Sequence, residues 1–236
     1  MGGEVWDFEP GDLLYPERFD RIALDQLRLD LGEAQFNAQV LQRPMPPGGN
    51  MFKLKYFQRY ETAPQHFEAI VQSWDPAVTD LETSAYTVCT TWGILGRQLY
   101  LIDVFRKRLD FCQIEPAIVS MRNKYNAIAI VVESSGVGLA IVKGLDRRRD
   151  MRRGLFCTDP RLGKRERALA QTPKLERKRV YLPVSASWLE TFEAEVATFP
   201  LSKYCDQVDS MVHFLAFLDH TNFVTIELSG YREKPF

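Results

Sequence analysis

Long apolar runs, paired cysteines and phosphate-loop glycines are all missing from this sequence, and each gap closes off a class of function. No stretch approaches the ~20 apolar residues that a bilayer crossing requires. The opening MGGEVWDFEPGDLL also lacks the basic-then-apolar layout of a secretory signal. The four cysteines, Cys89, Cys112, Cys157 and Cys205, stand far apart without a CxxC pair, which argues against a zinc site and a disulfide framework. A reducing, cytoplasmic setting without membrane contact is the expectation. Gly136 and Gly138 in SSGVG invite a phosphate-loop reading, but the P-loop spacing and its Lys-Ser/Thr are absent. A tight turn and close helix packing are their expected uses. Neither an internal repeat nor a low-complexity tract is present.

What is present describes a globular chain. Its 236 residues, 45% hydrophobic and 12% aromatic, fit one main domain with an appended segment. The net charge of −1 says little, but its distribution says more. Residues 143 to 179 concentrate Lys and Arg, while the first 35 residues and SWLETFEAEVATF are acidic. A basic block of this kind is ordinarily a solvated face; beside chemistry it becomes a phosphate-binding surface.

Periodicity and breakers predict an element order. One helix is expected around DRIALDQLRLDLGEAQFNAQV, followed by the breaker-rich QRPMPPGGN. Strands follow at 67–74, 84–95 and 98–109, the last two forming a hairpin about Gly96-Arg97. A helix over 113–125 precedes AIAIVVE, a continuous apolar run typical of a strand buried on both faces. Short strands at GLFCTD and RVYLP then alternate with helices at SSGVGLAIVKGLDRR, KRERALAQTPKLERKR, a Ser-capped SASWLETFEAEVATFP and an Asp-capped DQVDSMVHFLAFLDH. The order predicts an α/β fold with a mixed central sheet flanked by helices.

Acids stand at telling places in that order. Asp75 ends the first of these strands, Glu133 ends AIAIVVE, and Asp206 and Asp209 open the last helix. If the first and fourth strands are neighbours, two acids share one sheet edge, and the last helix can bring a third. Such carboxylates repel one another at neutral pH, and hard divalent cations relieve the repulsion. Taken singly, Asp75 before Pro76 can start a turn, Glu133 can cap the next helix, and Asp206 can serve as an N-cap. Trp74 reads as core, and His213, among apolar neighbours, as a packed helix residue.

These motifs, in this order, resemble the C-terminal nuclease domain of the large terminase subunit of tailed bacteriophages. PERFDRIALDQLRLDLGEAQFNAQVLQRPMPPGGNMFK looks like the segment joining the terminase motor to its nuclease, with its F-x-A-Q-x-x-Q-x-P core. SWDPA matches the first acid motif, VVESSGVG the second, YCDQVDSM the third, and KRERA the Lys-x-x-Arg element at Lys164 and Arg167. The resemblance implies an RNase H-like nuclease domain over 53–236, preceded by an arm over 1–52, with the ATPase half missing from this chain. It implies that Asp75, Glu133 and Asp206 are catalytic and, with Asp209, bind two Mg²⁺ or Mn²⁺ ions. Tyr204 and Cys205 depart from the His and Asp usual in the third motif, which weakens the expected second metal site.

The implied activity is endonucleolytic cutting of double-stranded DNA with little sequence preference, during genome packaging in the bacterial cytoplasm. Lys164, Arg165, Arg167, Arg152 and Arg153, within the wider Arg147–Arg153 run, are the candidate DNA contacts. Expected partners are duplex DNA, the terminase ATPase domain, the small terminase subunit and the portal protein, the isolated chain being monomeric. Two alternatives stay open: a junction resolvase of the same fold, and a non-catalytic module that docks a packaging motor on DNA or portal.

Overall fold

The computed structural model describes residues 12–13, 15–42, 51–78, 86–134, 136–158, 162–202 and 204–220. The chain divides into two compact units, Met1–Met45 and Pro46–Phe236. In the first, the expected single helix is two: α1 (Arg21–Leu31), capped by the Asp20 carboxylate on the Ala23 N–H, and α2 (Glu33–Gln39). Gly32 separates them at φ 76°, a conformation no helix can carry through. The breaker-rich stretch that follows lies, from 43 to 50, outside the described residues.

The second unit is built on one seven-stranded mixed sheet. In chain order its elements are β1 (Gln58–Tyr60), β2 (Ala69–Asp75), β3 (Thr87–Leu95), β4 (Gln98–Lys107), α3 (Phe111–Tyr125), β5 (Ala129–Glu133), α4 (Val137–Asp146), α5 (Arg149–Arg152), β6 (Leu155–Thr158), α6 (Lys164–Glu176), β7 (Val180–Pro183), α7 (Leu189–Thr198) and α8 (Asp206–His220). The strands lie in the order β1-β7-β4-β3-β2-β5-β6. β3 and β4 form the hairpin expected about Gly96-Arg97, β2 extends it antiparallel into a meander, and β5 adds to β2 in parallel. The fold is therefore the mixed α/β sheet read from the sequence. Two details differ. β1, three residues long, is too short to show a period. α3 starts at Phe111, two residues before the expected 113, under an Asp110–Gln113 capping box, and carries Pro116 inside the helix.

Side-chain alternation sorts the sheet into two cores. Val71, Val88, Val104 and Val131 face a cluster that includes Val208, Met211, Val212 and Phe214 of α8 and Phe192 of α7. Trp74, Cys89, Ile130 and Val132 face the opposite cluster with Ile114 and Ile118 of α3 and Ile141 of α4. Trp74 is fully buried there, as core. Among the described residues no helix is long and apolar enough to cross a membrane.

Candidate active site

Register and alternation decide where the acids go. The β2–β5 ladder closes on Trp74 opposite Val132, and Asp75 and Glu133 are the next residue of each strand. Each lies two positions beyond a residue of the α8-side row, Ser73 and Val131, so both fall on the face that α8 covers. Gly138 lets α4 close on the same strand end, because a Cβ there would collide with the Glu133 carbonyl. Gly136, at φ 53°, makes the turn before it.

Helix α8 is fixed to the sheet by buried polar contacts. The Ser210 hydroxyl donates to the Ser73 carbonyl at 2.7 Å and accepts the Thr90 N–H at 3.1 Å. At the helix start, Glu195 of α7 accepts the N–H groups of Gln207 and Val208 at 2.7 and 2.9 Å and the Gln207 amide at 2.8 Å. These are the free donors of a helix N-terminus, met by a side chain from another element. The expected caps take other forms. Asp206 is already inside α8, whose first carbonyl bond runs from Asp209 to Cys205, and its Oδ2 accepts the Tyr86 N–H at 3.1 Å. α7 likewise begins after Trp188 without a side-chain cap.

Asp206 and Asp209 are 8% and 2% exposed, so their charges count strongly. Burial, then the charges of Asp209 and Asp206, hold the Asp75 carboxyl well above its ordinary range, with Lys164 opposing and Glu133 adding to the rise. Burial likewise raises Asp206, against the bond from Tyr86 and the charge of Lys164. The three other acids thus all act on Asp75, and Asp209 acts on Asp206 as well. Two of them are held by cations: Lys164 Nζ lies 2.6 Å from Asp209 Oδ2, and Arg167 lies 3.2 Å from Glu133 Oε2. Burial would lower the Lys164 ammonium, but its bond to Asp209 and the charges of Asp209, Asp75 and Asp206 raise it overall.

His213 departs from its expected role as packing alone. It is 2% exposed, and its Nε2 lies 2.7 Å from Glu133 Oε2 and 2.8 Å from Arg167. Its place one turn after Asp209 is the available signal. Glu195, hidden in an acidic stretch, gives none.

The basic candidates divide. Lys164 and Arg167 stand at the acids, and Arg165 is exposed beside them on α6. Arg152 and Arg153 do not join them. They precede β6, which runs its four residues, ~13 Å of strand, before Thr158 pairs with Glu133. Arg152 instead faces Asp146 at 3.8 Å. The basic block of residues 143 to 179 is here split across the two ends of a strand.

The donor set suits a hard cation in kind: it is made of carboxylate oxygens. Burial raises the Cys205 thiol, which lies 3.2 Å from the Ser202 hydroxyl. Among the described residues, however, no three His, Cys, Asp or Glu side chains are drawn together closely enough to form a ready-made metal site. Lys164 and Arg167 hold two of the acids in this state.

A family model described as the terminase RNaseH-like domain matches residues 72–217. Among solved structures the fold is similar to the large terminase of a thermophilic bacteriophage in complex with ADP. The TM-score is 0.65 at 13% identity, over 87% of this chain and 54% of that one. The chain thus spans about half the length of that protein. It is also similar to the large terminase nuclease of the thermophilic phage G20c, solved with bound magnesium (TM-score 0.55, 13% identity, 73% of this chain, 98% of that one) and with bound cobalt (0.55, 12%, 73% and 98%). At such identities the likeness speaks for the fold alone. No curated protein matches. The family match extends over more than half of the sequence, from within β2 to within α8 and across every acid of the site: the chain belongs to the terminase RNaseH-like domain family.

Proposed function

We propose that this chain is a divalent-cation-dependent endonuclease that cuts double-stranded DNA during phage genome packaging. The observation that carries the reading is the convergence of Asp75, Glu133, Asp206 and Asp209, from two parallel strands and one helix, at one sheet end beside Lys164 and Arg167. Asp75, Glu133 and Asp206, with Asp209, would hold two Mg²⁺ or Mn²⁺ ions. Such ions, when bound, supply charge neutralisation at the phosphate and a more acidic water for in-line attack.

The chain's own groups do the rest. Arg167 and His213 fix Glu133 Oε2, so this carboxylate is oriented before substrate arrives. Lys164 offsets the repulsion among the aspartates, and the exposed Arg165 extends positive charge along α6. No covalent intermediate is invoked, because a water made more acidic by the ions would be the nucleophile. Contacts of this kind grip phosphates and do not read bases, so cutting has little sequence preference.

The reading divides the chain into an arm over 1–52 and a nuclease over 53–236, acting in the bacterial cytoplasm as a monomer in isolation. Its partners are the ATPase domain, small subunit and portal of a packaging motor. A docking module is the second reading, favoured by the two ion pairs that already occupy Asp209 and Glu133. Plasmid cleavage with Mg²⁺, Mn²⁺ or EDTA, beside Asp75→Asn and Glu133→Gln, tests the first. Metal-dependent cutting abolished by both substitutions supports the nuclease; no cutting under any metal leaves the docking module.

A further inference from the structure

The acids have a second basic flank that the charge pattern of the sequence does not single out. It begins with register. Asp75 of β2 pairs with Val88 of β3, and Val88 with Arg106 of β4, so the three share one row and one face of the sheet. Two strand spacings, ~10 Å, separate Asp75 from Arg106. Arg108 repeats the alternation just beyond the strand end. On the other side of Asp75, Arg167 meets Glu133 of β5. The acids therefore lie between two sets of cations, set apart by the three spacings from β4 to β5, ~14 Å.

This second set is built on aromatic rings. The Arg106 guanidinium lies 3.7 Å from the centre of the Tyr86 ring and 5.7 Å from that of Tyr204, and Arg108 lies 4.5 Å from Tyr86. The two tyrosines meet edge to face, their centres 5.4 Å apart. Ring contacts fix a guanidinium plane without using its N–H donors. Arg106 Nε is buried without a hydrogen-bond partner, so the exposed Arg108, and not this nitrogen, is what a phosphate meets first. Among the described residues neither arginine forms a salt bridge, although the charge of Arg106 acts on Asp206. The cluster is tied to the acids as well, because the Tyr86 N–H donates to Asp206 Oδ2 at 3.1 Å. Tyr204 stands two residues before Asp206, where it holds the edge of Tyr86.

We propose that Arg106 and Arg108, braced on Tyr86 and Tyr204, grip the phosphodiester backbone of duplex DNA on the β4 side of the acids. The idea rests on the nuclease reading and deepens it. Lys164 and Arg167 stay with the acids on the β5 side, and the arginine–tyrosine cluster holds the backbone on the β4 side, so the scissile phosphate is flanked by positive charge on both sides of Asp75.

The test is steady-state cutting of a linear duplex by the full chain over a range of NaCl, with Mg²⁺ or Mn²⁺. Arg108→Gln, Arg106→Lys and the Arg106→Gln/Arg108→Gln double variant are run beside wild type and Asp75→Asn, with circular dichroism as the folding check. Arg108 is exposed, so its variant keeps the fold. The expected result for Arg108→Gln is a KM raised about tenfold, the worth of one charge-assisted hydrogen bond, with kcat retained. The slope of log affinity against log salt should become shallower by about 0.9 for each phosphate no longer neutralised. Arg106→Lys, which keeps the charge, retains the slope. A purely structural clip would lower stability or kcat and leave the slope alone. If wild type cuts, Asp75→Asn does not, and the arginine variants keep the wild-type KM and slope, the proposal fails while the nuclease stands. If wild type neither binds nor cuts duplex, both fail.

Discussion

Ser210 and Ser73 join the helix that carries two acids to the strand that ends in a third: the Ser210 hydroxyl donates to the Ser73 carbonyl at 2.7 Å, with both residues fully buried. Because that proton is spent on Ser73, the 2.8 Å contact to Thr90 Oγ1 must be donated by the threonine, which itself accepts from the Trp92 indole at 2.8 Å. The relay sets the height of α8 over β2 and hence the approach of Asp209 to Asp75. Ser210→Ala strands a buried carbonyl and the buried Thr90 N–H. The expected cost is about 1–3 kcal/mol, read as a lower midpoint in urea unfolding with an unchanged m-value. An unchanged midpoint would mean that the relay does not hold the helix.

Asp75 sits where folding disfavours its charge. Its folded-state pKa is raised, chiefly by burial and then by Asp209 and Asp206, so its contribution to stability is complete below the unfolded-state value of about 3.9 and is lost as pH climbs through the raised one. At neutral pH in EDTA, Asp75→Asn should therefore be more stable than wild type. A gain of about 1 kcal/mol corresponds to roughly 2–4 °C in a chain of this size. The difference should shrink as pH falls toward 4, where wild type is itself protonated. Thermal melts of the two proteins across that range check the sign, and a less stable variant at pH 7 would refute the argument.

What is legible in the sequence follows from what is local. AIAIVVE declares a buried strand by itself, and Glu133 at its end is placed by period alone. The pairing of β2 with β5 is allowed by fold rules but stood in the sequence only as a condition; the structure supplies it, and it puts Asp75 and Glu133 side by side. His213 and Glu195 are not legible, because their meaning lies in partners on other elements: Glu133 for one, the N–H groups of Gln207 and Val208 for the other. Arg152 and Arg153 group with Lys164 in the sequence and part from it in the fold for the converse reason. Closeness in sequence spans a strand here, and a strand separates its two ends. Arg106 is equally hidden, because its nearness to Asp75 runs through register across β3.

Glu195 does for α8 what a cap within the helix would do. Only 6% exposed, it carries a pKa raised by burial and held back by the three bonds it accepts from Gln207 and Val208. Glu195→Ala leaves two buried N–H groups unmet and should cost about 1–3 kcal/mol. Glu195→Gln keeps one carbonyl acceptor and should cost less. Chemical denaturation of both ranks them, and equal losses would show that packing, not hydrogen bonding, is what Glu195 contributes.

Lys164 occupies the place where a cation would be useful, its ammonium 2.6 Å from Asp209 and within the field of Asp75 and Asp206. A divalent ion approaching these acids must compete with it. Lys164→Gln removes the competitor and leaves the carboxylates with more unbalanced negative charge. In EDTA the variant should melt at a lower temperature than wild type, because repulsion among the buried acids is less offset. On titration with Mg²⁺ or Mn²⁺ it should gain more, since stabilisation by a bound ion grows as RT ln(1 + [L]/Kd) and Kd falls when the site is freed. Fluorescence-monitored melting reads both effects without any DNA present. Wild type and variant gaining equally would mean that cations do not enter between Lys164 and Asp209, and the carboxylates would then have to hold their ions elsewhere on the sheet end.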